Sequence, residues 1–139
     1  MQLNQKEIEA LIPHSGAMSL LNEVLKWDED HIICLANSHR SKHNPLRYEN
    51  TLSSVCGVEY AAQAMAVHGA LSKGDPDEEP RPGYLASIKN LDLLVSSLDD
   101  IESDLMIEAE LLMRDKEFLV YKFRVLSEDL NLLSGRAII

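Results

Sequence analysis

Cys56-Gly57-Val58-Glu59-Tyr60-Ala61-Ala62-Gln63-Ala64-Met65-Ala66-Val67-His68-Gly69-Ala70-Leu71 is the stretch from which the fold is read. Ala, Met, Gln and Leu are good helix formers. Ser54 and Gly57 stand where the chain would enter such a helix, and Gly74 follows its end, so a helix is predicted over about residues 53–72. Nearly every position is apolar or small, which predicts a helix buried all round. Glu59 and Gln63, at i and i+4, project from the same side of it. A carboxylate within apolar structure is costly unless it is paired or used. Glu59 is therefore the first candidate functional residue.

Outward from the helix, residues 73–82 hold Gly74, Pro76, Pro80 and Pro82 and read as a loop. Four strands are predicted beyond it, over 83–95, 105–112, 118–126 and 132–139. Met106, Glu108 and Glu110 alternate with Ile107, Ala109 and Leu111, and Lys122 and Arg124 alternate with Tyr121, Phe123 and Val125. Short links at 114–116 and 127–129 make these strands antiparallel neighbours. Before the helix, residues 4–11 read as a short helix with Asn4 as N-cap and Glu7 completing a capping box, stopped by Pro13. Runs 20–27 and 31–36, joined at Asp28-Glu29-Asp30, read as a hairpin. One buried helix between blocks of antiparallel strands means an α+β fold. A single curved sheet wrapped around the helix would bury it, and Ala61, Ala62, Ala64 and Ala66 would let the two approach closely.

At 139 residues one domain spanning 1–139 is expected, large enough to need no disulfide or metal staple. Cys34 and Cys56 have no zinc-site spacing, and a reduced, cytoplasmic setting is expected. No run approaches the ~18 apolar residues of a membrane span, and no secretory leader pattern opens the chain. Thirteen Lys and Arg against 23 Asp and Glu give a net charge of −10, which argues against nucleic acid as a partner. The acid gathers at 75–79 and 99–104, whereas Arg40, Lys42 and Arg47, with His39 and His43, form one basic stretch. That stretch could dock an acidic partner, although a solvated loop is the plainer reading.

Several of these motifs together resemble a known family. Pro13-His14-x-Gly16-x-Met18-x-Leu20-Leu21 is followed, about forty residues on, by Gly57-Val58-Glu59-Tyr60-Ala61-Ala62-Gln63-Ala64-Met65-Ala66. Asn44-Pro45-Leu46, Gly83-Tyr84-Leu85-Ala86-Ser87, Ser97-Leu98-Asp99-Asp100 and Gly135-Arg136-Ala137 continue the likeness through almost the whole chain. The sequence is similar to the hotdog-fold 3-hydroxyacyl-[acyl carrier protein] dehydratases, closest to the branch acting in aryl-polyene biosynthesis. The resemblance implies a long helix wrapped by an antiparallel sheet, a homodimer or a heterodimer with another hotdog dehydratase, and acyl carrier protein as partner. It implies no cofactor beyond the carrier's phosphopantetheine arm, and no metal. His14 falls on the family's catalytic histidine. The family's helix carboxylate falls on Gln63, and Glu59 lies one turn earlier and about 40° round the helix.

Dehydration of a 3-hydroxyacyl thioester removes a proton from C2 and protonates the hydroxyl leaving C3. On the resemblance, His14 is the base, since histidine titrates near working pH, and Glu59 the acid, a role suited to a carboxyl in an apolar slot. Gln63 would hold the substrate hydroxyl. Backbone N–H groups at the helix start, around Cys56, Gly57 and Val58, would hold the thioester oxygen as it gains charge. Arg40, Lys42 and Arg47, with Arg81, would dock the acidic carrier protein. Plainer readings stand beside these: His14 as a turn residue, Glu59 or Gln63 bonded to backbone, Cys56 as a nucleophile only with partners it lacks. His68 lies about 180° from Glu59 and reads as structural. His31, His39 and His43 read as surface residues. Two other functions stay open: a thioesterase of the same fold, and a non-catalytic subunit partnering another dehydratase.

Overall fold

The computed structural model describes residues 2–12, 16–72 and 85–139. Strand β1 (Leu3–Asn4) leads into helix α1 (Gln5–Leu11), whose start is a complete capping box. The Asn4 side chain accepts from the Glu7 N–H at 2.9 Å, and the Glu7 carboxylate accepts from the Asn4 N–H at 3.2 Å. The predicted N-cap and reciprocal acid are thus met. The two-residue strand at Leu3 was not read from the sequence, because so short a segment carries no periodicity.

Strands β2 (Glu23–Trp27) and β3 (His31–Ala36) form the predicted hairpin, and β2 starts three residues later than expected. Helix α2 (Gly57–Leu71) follows, entered through a 3-10 turn over Ser54–Cys56. Strands β4 (Ser87–Leu93), β5 (Leu105–Arg114), β6 (Leu119–Ser127) and β7 (Leu130–Ile138) complete the chain. All seven strands lie in one antiparallel sheet in the order β1-β2-β3-β5-β6-β7-β4. The β6–β7 turn is tight, with Glu128 and Asp129 both in the left-handed region, the conformation that matches the twist of a two-residue hairpin. Irregular registers at Val24/Lys26, Lys89/Asp92, Leu111/Met113 and Val125/Leu126 add twist and bend the sheet.

Side chains on β5 and β6 alternate as the sequence predicts, and those on β3 alternate as well. Ile32, Cys34, Ile107, Tyr121, Phe123 and Val125 point inward onto α2. Burial pushes the Cys34 thiol up to about 12, so it packs as a small hydrophobe. Gly57 marks a tight approach: a Cβ there would sit 2.5 Å from Leu133 Cδ2. The sheet can lie close to α2 at that point because the glycine has no side chain.

Two expectations need correction. α2 is not buried all round. Tyr60, Ala61, Ala64, Met65 and Val67 are enclosed, but Val58, Glu59, Ala62, Ala70 and, most openly, Ala66 lie along a partly uncovered stripe. Small side chains suit both a close sheet and an open seam, so composition alone could not separate the two. The strand predicted over 83–95 is shorter, and it takes the edge position beside β7. Leu85, Leu91, Leu93 and Leu94, on that edge strand and its flanks, are each more than a third exposed.

Candidate active site

Gln63 is 1% exposed and its amide is fully engaged. Its Nε2 donates to the Met18 carbonyl at 2.8 Å and to Glu59 Oε1 at 3.2 Å, and its Oε1 accepts the Leu20 N–H at 3.0 Å. The i, i+4 spacing that placed the two residues on one side of the helix therefore brings them into contact. Glu59 itself is half-buried.

The segment Gln63 grips begins with a 3-10 turn over Gly16–Met18, in which Gly16 has φ +60 and Ser19 N–H bonds the Gly16 carbonyl at 3.1 Å. A glycine takes that left-handed position without steric cost. The Leu20 carbonyl is held from the other side: Ser38 Oγ–H donates to it at 2.7 Å. That leaves the Tyr60 hydroxyl to donate to Ser38 Oγ at 2.7 Å, while Asn44 Nδ2 donates to the Tyr60 oxygen at 3.1 Å and to the Ser38 carbonyl at 2.9 Å. Burial pushes the Tyr60 phenol up, which keeps it a donor.

Ser38, Asn44 and Tyr60 were not singled out in the sequence as site-forming residues. Their separations of 6, 16 and 22 positions match no local motif, and only Asn44-Pro45 and Tyr60 stood within quoted stretches. His14 lies outside the described residues, as do Arg81 and Gly74. Met18, which Gln63 holds, follows His14 by four positions in the chain.

The helix start does not offer the Cys56 and Gly57 N–H groups expected to hold an oxyanion. The 3-10 turn uses them: Cys56 N–H bonds the Ser53 carbonyl at 3.0 Å, and Gly57 N–H bonds the Ser54 and Val55 carbonyls. Ser54 N–H reaches the Ser96 carbonyl at 3.1 Å. A helix that runs on from a 3-10 turn leaves fewer donors unpaired than one starting from an extended residue. Gly57 serves the packing against Leu133, and Val58 is half-buried beside it. Burial pushes the Cys56 thiol up, the reverse of nucleophile activation.

The basic stretch also looks inward. Arg40 donates to Asp104 Oδ1 at 2.9 Å and to the Glu102 carbonyl. Arg47 donates to the carbonyls of Asn50 and His39, at 3.3 and 3.2 Å. His39, expected at the surface, is fully buried and its Nε2 bonds the Ile101 carbonyl at 3.0 Å. The reason is topological: the 39–47 and 99–104 stretches, opposite in charge and sixty residues apart, pack against each other. Lys42 stays exposed. His68 is structural as predicted, buried between Tyr121 and the Asp28 carbonyl. Among the described residues no cluster of His, Cys, Asp or Glu could hold a metal ion, and no helix is long and apolar enough to cross a membrane.

Comparison with known proteins adds the family. The model of the ApeP-like family, described as ApeP dehydratase, matches residues 6–138. The chain belongs to the ApeP-like dehydratase family. This agrees with the likeness to the aryl-polyene dehydratase branch. A search of curated proteins finds no match. Among solved structures, the dehydratase heterocomplex ApeI:P from Xenorhabdus doucetiae superposes with a TM-score of 0.82 at 22% identity, covering 94% of this chain and 88% of that one. A hypothetical thioesterase with coenzyme A from Streptococcus pneumoniae superposes at 0.60 with 13% identity, over 83% and 80%. Both likenesses show the fold: the hotdog fold, a curved antiparallel sheet around one long helix.

Proposed function

We propose that this member of the dehydratase family converts 3-hydroxyacyl thioesters, carried on an acyl carrier protein, to trans-2-enoyl thioesters in aryl-polyene biosynthesis. The observation that carries the reading is Gln63, which holds the Glu59 carboxylate and the backbone that follows His14 with one amide. A carboxyl group is thereby presented near the segment that carries the histidine.

In the step, His14 takes a proton from C2, the electron pair forms the C2–C3 double bond, and the C3 hydroxyl leaves as water after protonation by Glu59. Each proton transfer by a positioned group contributes typically ~10²- to 10⁴-fold. The carrier brings the substrate, so the protein needs no cofactor of its own. Of the three docking cations expected on the basic loop, Lys42 and the outer side of Arg40 remain suited to an acidic carrier.

The reading includes a second hotdog subunit. Among the described residues no strand pairs with the outer edge of β4, which carries exposed leucines, and such an edge calls for cover. The uncovered stripe of α2 through Ala62 and Ala66 calls for cover as well. That the similar structure is a heterocomplex favours another dehydratase as the cover. In that arrangement this chain could lend support to its partner's site.

The test is mass spectrometry of a carrier protein loaded with a 3-hydroxyacyl chain and incubated with this protein, alone and with a partner dehydratase. Loss of one water, abolished by His14→Ala and reduced at least ~100-fold by Glu59→Gln, is expected. Loss that persists unchanged in both variants overturns the residue roles. Release of the acyl chain would mean a thioesterase, and loss that needs only the partner's residues would mean a non-catalytic subunit.

A further inference from the structure

We propose that Gln63 acts as a positioning residue, which with Ser38 clamps the backbone at Leu20 from both sides and so fixes the segment that follows His14. Its place in the reaction rests on the dehydratase reading above; the clamp itself does not.

The argument is a count of hydrogen-bonding capacity. An amide side chain has two N–H donors and one carbonyl acceptor. Both donors of Gln63 are used, on Met18 O and Glu59 Oε1, and its oxygen is used on Leu20 N–H. With 1% exposure the amide has no donor left for a substrate hydroxyl, the role expected from the sequence. The residue it grips is gripped again, through the Leu20 carbonyl, by Ser38 Oγ. Ser38 is in turn fixed by Tyr60 and through its own carbonyl by Asn44. Leu20 is itself fully buried.

Both backbone groups of one residue are therefore bonded to side chains from distant elements, α2 on one side and the turn after β3 on the other. A segment without regular secondary structure gains a fixed position relative to α2. The same amide ties Glu59 to that position, so the carboxylate and the segment after His14 share one reference point. Displacement by about 1 Å of a reacting group can cost ~100-fold in rate, which is the scale of benefit such a clamp supplies.

Hydrogen exchange and steady-state kinetics on the 139-residue chain, with a partner dehydratase where activity needs one, test this together. In Gln63→Leu, exchange at the Leu20 amide is expected to speed up at least ~10-fold, as a local opening. kcat should fall about 100-fold with KM changed less than about twofold, the pattern of a lost alignment and not of lost substrate binding. Ser38→Ala keeps the three hydrogen bonds of Gln63, takes from Tyr60 its acceptor, and should move both quantities in the same direction, less far. Because both act on the backbone of one residue, the double variant should lose less than the product of the single losses. Unchanged exchange at Leu20 in Gln63→Leu overturns the clamp. A KM raised tenfold with kcat kept, or losses that multiply, overturns the positioning role. If no preparation dehydrates a loaded carrier, the dehydratase reading fails alone, and the exchange result still decides the clamp.

Discussion

His68 on α2 and Tyr121 on β6 are joined by a hydrogen bond of 2.7 Å from the phenol to Nδ1, with the rings edge to face at 5.5 Å and 87°. Nε2–H donates to the Asp28 carbonyl at 2.9 Å, so a neutral ring has both its nitrogens satisfied. One histidine thus ties the helix to the sheet and to the β2–β3 turn. Burial pushes the Tyr121 phenol up to about 12, which keeps its proton available for Nδ1.

Tyr121→Phe preserves the edge-to-face contact and removes only the hydroxyl. It leaves a buried Nδ1 without a donor, and a loss of about 1–3 kcal/mol is expected. Urea unfolding of the variant against the parent measures it. A change within experimental error would mean that water reaches the ring.

Burial holds both His68 and His39 below the ordinary histidine value. Below about pH 6.5 the unfolded chain takes up protons on these residues that the folded chain does not. Stability contributed by the neutral rings is therefore complete above that pH and is lost as pH falls through the folded values. Each ring contributes a slope of at most about 1.4 kcal/mol per pH unit. Denaturant midpoints at pH 7, 6 and 5 should fall in that order, and His39→Asn should reduce the slope. A slope unchanged by the substitution would remove His39 from the account.

Gly57→Ala places a methyl 2.5 Å from Leu133 Cδ2, so Leu133 must shift within a filled core. Overpacking of this kind costs about 1–3 kcal/mol, more than the better helix propensity of alanine returns near a helix start. Pairing it with Leu133→Val should recover part of the loss. Thermal unfolding of the three variants decides, and additive losses would contradict a shared contact.

Lys42→Glu should raise the KM for carrier-bound substrate several-fold and leave a short thioester mimic unaffected, the mark of a docking charge. Arg47→Ala should lower stability by about 1 kcal/mol, since its guanidinium holds the Asn50 and His39 carbonyls. Equal effects of Lys42→Glu on both substrates would end the docking reading.

The elements of this chain were legible wherever a local pattern carried them. Asn4 and Glu7 announce their helix by a reciprocal hydrogen bond that spans three residues. The alternation around Phe123 announces a half-buried strand, and the alanine-rich run from Gly57 announces a helix under a sheet. Where a choice depended on what lies opposite, the sequence was silent. Ala61 and Ala66 are the same residue in the same helix, yet one is enclosed and the other exposed. Their difference is which side of α2 the sheet covers.

The same division runs through the candidate site. Glu59 and Gln63 were visible as a pair because helical spacing guarantees their contact. That Gln63 also reaches Met18 and Leu20, more than forty residues away, follows from the path of the chain, and it changes the residue's role. Likewise the basic loop's acidic partner turned out to be the 99–104 stretch, through Arg40 and Asp104. Local spacing and periodicity determined the helix, the strands and the α+β class, because those depend on bonds and faces repeated along the chain, and the hotdog fold was implied by the resemblance. Tertiary structure decided which polar groups meet, because hydrogen bonds and charge pairs act within about 3 Å in space and take no account of distance in sequence.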